Sequence, residues 1–165
     1  MSVLETLVTT FEPWSTLYSG STVLSVMLTF AHLGAMMVGG GLAIAADRTV
    51  LRAGTGVDAA GRRMIADAVS DVHRPVVLAL IVSGVSGALQ LAADLESLAV
   101  NKVMWVKLGL LALLIVNGLL MLRDERALHR NADNEKALGA LRVRAVTSLV
   151  LWLAITLAGV GLLQG

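Results

Sequence analysis

Residues 22–46 read TVLSVMLTFAHLGAMMVGGGLAIAA, a run of 25 residues with no Asp, Glu, Lys or Arg. A helix needs about 20 apolar residues to cross the hydrocarbon of a bilayer, so this run is long enough to span one. Its apolar residues do not alternate, and Leu, Ala, Met and Gly dominate, which argues against a strand. Three further stretches of the same kind follow at 76–93, 103–122 and 145–163, and the one charge inside any of the four is Lys107. Four transmembrane helices are predicted.

The whole composition agrees. Of 165 residues, 56% are hydrophobic and 15% charged, against about 25% charged in an average soluble domain. A soluble helical domain of this size needs charge to cover its outside, and this chain lacks enough. This balance excludes a disordered chain and a nucleic-acid-binding domain, and the absence of cysteine excludes a disulfide scaffold. What remains is an all-α polytopic membrane protein, an up-and-down bundle of four transmembrane helices forming one integral membrane domain over residues 1–165.

Orientation follows from the basic residues. Arg48, Arg52, Arg62, Arg63 and Arg74 lie between spans one and two; Arg123, Arg126, Arg130, Lys136, Arg142 and Arg144 lie between spans three and four. Only Lys102 and Lys107 fall toward the other side, and the segments before span one and after span four contain none. Both termini are therefore expected on the extracytoplasmic side, with a bacterial plasma (inner) membrane as the expected location. Trp14, Tyr18 and Trp105 then fall at the outer interface, where amphipathic rings prefer to sit. The segment 3–18 spaces Leu4, Leu7, Val8, Phe11 and Trp14 helically and ends near Pro13, which predicts a short amphipathic helix lying on the outer surface. Residues 58–71 read as a polar helical run in the first inner loop, and 131–134 as the joint between two helix extensions in the second.

Small residues mark helix contacts in lipid, where close backbone approach supplies much of the attraction. Ala35 with Gly39 and Gly41 with Ala45 in span one, and Ser83 with Gly87 and Gly84 with Ala88 in span two, predict that these two helices pack tightly.

His32, near the middle of span one, is the most informative position, because an imidazole in hydrocarbon needs a partner or a cavity. Ser25, Thr29, His32 and Met36 share a helical face that should point into the bundle. His32 reads as a haem or metal ligand or a proton-transfer site, or else as a neutral ring hydrogen-bonded to a neighbouring helix. Met36 would add a soft thioether suited to copper(I). His73 lies about 20 Å from His32 along the membrane normal by helical rise, too far for both to reach one iron, and is expected to cap span two beside Arg74. His129 is expected to be solvated. Lys107 differs in depth from His32 by only about 5 Å. It either faces the same cavity and holds a carboxylate or propionate, or snorkels toward Asp94 or Glu96. Asn117 and Gln90 are expected to make interhelical hydrogen bonds.

Several of these residues lie in short motifs: Ala31-His32-Leu33 with the glycine run 39–41, His73-Arg74, Ser83-Gly84 and Ser86-Gly87, and Trp105-Val106-Lys107-Leu108. Through them the stretch 22–122 resembles the four-helix core of the copper-resistance protein D (CopD)-like membrane proteins and, more distantly, the HemJ-type protoporphyrinogen oxidases. The resemblance implies haem or porphyrin binding, with His32 and Lys107 as the carried-over positions and haem b as the cofactor. Two functional expectations stand side by side: a redox-ligand-binding membrane protein, or a non-catalytic structural or assembly subunit, either as a homo-oligomer or within a larger membrane complex. Copper transport is a third.

Overall fold

A computed structural model describes residues 3–53 and 56–162, and among these the regular structure is helical throughout. The elements are α1 (Val3–Gly20), α2 (Thr22–Arg52), α3 (Ala59–Ala93), α4 (Leu95–Val100), α5 (Lys102–Arg130) and α6 (Glu135–Leu162). Four of them, α2, α3, α5 and α6, are long and apolar enough to cross a membrane. They form a bundle in which α2 neighbours α3 and α6, and α5 neighbours the same two. The protein is an integral membrane four-helix bundle. The end of the fourth expected span at Leu163 lies outside the described residues.

Local sequence explains where the helices start. Ser21, Asp58 and Asn101 each sit in non-helical backbone and accept a hydrogen bond from an N–H of the first turn, at Leu24, Gly61 and Val103. Asn134 does the same for Ala137 at 3.1 Å. Such caps satisfy amide groups that the helix leaves without partners.

The helices outrun the apolar stretches that define them. At 1.5 Å per residue the 31 residues of α2 extend about 46 Å, against a hydrocarbon core of about 30 Å. The excess lies at the end opposite α1, rich in arginine, where Val50, Ile65, Ala66, Val69, Leu128, Leu138 and Leu141 pack as a buried apolar core. A second core, of Leu114, Leu151, Trp152 and Ile155, fills the middle of the bundle.

Two expectations need correction. The polar run 58–71 is helical, capped by Asp58, and continues through Pro75 into the second span, so His73 lies within α3 and does not cap it. α1 does not end near Pro13 but runs on to Gly20. Proline removes one backbone donor without forbidding a helix whose freed carbonyl, here that of the exposed Thr9, can face solvent. None of the described residues of α1 is buried, yet two of its side chains reach α3. Trp14 Nε1 donates to Leu89 O at 2.8 Å and Ser15 Oγ to Ala93 O at 2.7 Å, so α1 is tied to the last turns of α3. The rings of Trp14 and Tyr18 pack 6.3 Å apart, and the exposed Trp105 donates to Ala99 O near the same end.

The small-residue expectation holds at two of its positions. A Cβ at Gly39 would come within 3.0 Å of Ala79 Cβ, so α2 and α3 do approach closely there. Gly41 and Gly84, by contrast, face open space. A helix turns about 100° per residue, so Gly41, two residues on from Gly39, and Gly84, one residue on from Ser83, point away from the α2–α3 contact.

Candidate functional site

Antiparallel packing sets His32 of α2 against the Ser83–Gly87 turn of α3. Its Nδ1 lies 2.8 Å from Ser83 O, with Ser83 Oγ at 3.3 Å and Ser86 Oγ at 3.4 Å. A carbonyl only accepts, so Nδ1 carries the proton, an assignment made from the hydrogen-bond network. The Nε2 lone pair is then left for another partner. Ser86 Oγ turns back onto Val82 O at 2.7 Å, which removes its hydroxyl proton from the imidazole. Gly87 makes the approach feasible: a Cβ there would lie 3.0 Å from His32 Cε1 and 3.2 Å from Nδ1.

Lys107 comes from α5, diagonally opposite α2. It is half-buried and close enough for its charge to act on the His32 imidazole. The end of its side chain approaches α6 at Gly159, where Nζ lies 3.7 Å from the position a Cβ would occupy. The expected partners, Asp94 and Glu96, do not pair with it, and among the described residues Lys107 forms no ion pair. Gln90 lies on the same α3 face as Ser83 and Gly87, and its Nε2 is buried without a hydrogen-bond partner. Toward the α1 end the polar groups are thus His32 against the Ser83–Gly87 turn, the buried Gln90, and Lys107 beside Gly159.

The other sequence candidates go elsewhere. Ser25 and Thr29 do not join His32. With Phe30, Leu33 and Met37 they line a groove of about 490 Å³ along the outside of α2. Met36 packs against the Trp152 cluster. His73 is half-buried in α3, within the field of Glu125 and Arg126 of α5. His129 is not simply solvated, since its Nε2 lies 2.9 Å from Glu125 Oε1 and 3.7 Å from Asp67 Oδ1. Asn117 makes the interhelical bond expected of it, Nδ2 donating to Arg144 O at 3.0 Å.

Nothing matches. Comparison of the chain with protein-family models, curated proteins and solved structures returns no similar protein. The site must therefore be judged on its own atoms. Among the described residues no three His, Cys, Asp or Glu side chains come together to hold a metal ion. One imidazole nitrogen and one ammonium are a poor cage for a bare cation.

Two polar groups escaped the sequence reading. Asp47 is 1% exposed and Glu125 4%. Asp47 reads as the first charge of a loop, yet it shares a helical face with Gly40, Ala43 and Val50, and that periodicity was the signal for burial.

Proposed function

We propose that this integral membrane protein binds an anionic redox ligand of porphyrin type, haem b in its simplest form, at the α1 end of the bundle. His32 Nε2 would hold its iron, and the Lys107 ammonium would offset its carboxylate charge. One observation carries the reading: an imidazole whose Nδ1–H is fixed on the Ser83 carbonyl, beside a half-buried ammonium with no anion of its own. A ligating histidine characteristically donates its second ring N–H to a carbonyl, which orients the ring and makes the free nitrogen more basic. A lysine within a bundle calls for an anion. Bound there, haem would supply one-electron chemistry; the chain's own groups hold and orient it and keep water away. Both termini on the extracytoplasmic side of a bacterial plasma membrane is part of the same proposal, supported by the arginine-rich end of the bundle.

Absorption spectroscopy of the detergent-purified protein titrated with haemin is the test. A Soret band that saturates, disappears in His32→Ala and needs about tenfold more haemin in Lys107→Met is the expected result. A folded protein that leaves the haemin spectrum unchanged overturns it. The second reading, a non-catalytic subunit of a larger membrane assembly, draws support from the contact of the ring with Gly87 and Ser83, which satisfies it inside the bundle. It predicts co-purifying membrane subunits and an effect of His32→Ala on stability alone.

A further inference from the structure

At the opposite end of the bundle lies a second polar group that the haem reading does not use. Asp47 stands 25 residues beyond Thr22, about 37 Å along α2 and toward its arginine-bearing end. It is nonetheless 1% exposed, enclosed by α2, α3 and α6 beside the buried Ala46, Val50 and Ala145. The Ser148 hydroxyl of α6 donates to its carboxyl group, while Oδ2 has no hydrogen-bond partner.

The neighbouring charges are engaged elsewhere. On α6, Arg144 Nε lies 3.7 Å from Asp124 Oδ2 of α5, and Arg142 Nη2 donates to Ala53 O at 2.6 Å. Glu125 of α5 is held by His129. His73 of α3 lies in the field of Glu125 and Arg126, and Asp71, Arg74, Arg48 and Arg52 are exposed. Among the described residues no basic side chain pairs with Asp47.

An ionised carboxylate in such a place lacks both water and a counter-ion, and the cost of that falls when it takes up a proton. The geometry points to Asp47 and Ser148 as a proton-binding site at the arginine-rich end of the bundle, with Oδ2 carrying the proton and Ser148 fixing the other oxygen. The folded state then holds the proton more tightly than the unfolded chain, whose carboxyl ionises near pH 4. Stability from this group is complete at low pH and is lost as the pH rises above the range in which an ordinary carboxyl ionises.

Reversible unfolding of the full chain in detergent from about pH 4 to about pH 8 tests the site, with Asp47→Asn as the matched variant. The folding constant of the wild type, divided by that of Asp47→Asn, should fall at least about tenfold across the range. Parallel curves overturn the proposal. Infrared difference spectra of the folded protein give an independent reading: a protonated-carboxyl carbonyl band present at about pH 5 and lost by about pH 8. If Asp47→Asn does not fold, Ser148→Ala decides, because removing the donor to the ionised form must move the loss of that band to higher pH. An unmoved band, or none, overturns the assignment. The proton site and the haem site fail or stand separately, since neither test reads the other's signal.

Discussion

The Trp152 indole of α6 occupies the space that a side chain at Gly40 of α2 would need: a Cβ built there would lie 3.2 Å from Trp152 Cε3. Trp152 is 5% exposed and belongs to the apolar layer between the His32 end and the Asp47 end. A bulky ring in mid-bundle is accommodated because its neighbour has no side chain.

Gly40→Ala should therefore force α2 and α6 apart and destabilise the protein by about 1–3 kcal/mol. Gly41→Ala, one residue on, meets nothing within 4 Å and should be neutral, or stabilising by up to about 1 kcal/mol through the higher helix propensity of alanine. Unfolding free energies of the pair check this; equal losses would mean that the Trp152 contact is not what matters.

Gly87→Ala should displace the imidazole from Ser83. Its methyl would lie 3.0 Å from His32 Cε1, whereas Gly84→Ala opens into empty space and should leave the ring alone. Nitrogen NMR of the histidine ring reads the outcome, with the protonated Nδ1 signal of His32 perturbed in the first variant and unchanged in the second.

The anchoring of α1 rests on two donors that reach carbonyls of α3. Trp14→Phe combined with Ser15→Ala should weaken that attachment by about 1–3 kcal/mol. Amide exchange in 3–20 should accelerate while exchange in α5 and α6 stays as it was. Uniform acceleration would show instead that α1 is coupled to the whole bundle.

Side-specific labelling tests orientation. The chain contains no cysteine, so Thr16→Cys and Lys136→Cys report only on themselves, and both positions are exposed. An impermeant thiol reagent added to intact bacterial spheroplasts should modify the first and spare the second. The reverse pattern would invert the topology.

The four spans were legible because crossing a membrane depends on the summed hydropathy of some 20 neighbouring residues, which needs no tertiary knowledge. His32 stood out for the same reason, as one imidazole against an apolar background. Its partner did not, because Ser83 lies 51 residues away and meets it only through the rotational setting of α3 against α2. By helical spacing Ser25, Thr29, His32 and Met36 share one face that should point into the bundle. Packing splits it, since α2 turns His32 toward α3, Met36 toward Trp152, and Ser25 with Thr29 to the outside.

By itself the sequence determined the solvent, the number of crossings and the residues too polar to be there without company. Which ring nitrogen of His32 is free, that Lys107 faces Gly159 without a carboxylate, and that Asp47 is sealed from water were settled by tertiary structure alone. Hydropathy adds up along one chain segment. A side chain's partners, in contrast, depend on how four helices are rotated and shifted against one another, and a few ångströms of close approach at Gly39, Gly40 and Gly87 set those rotations.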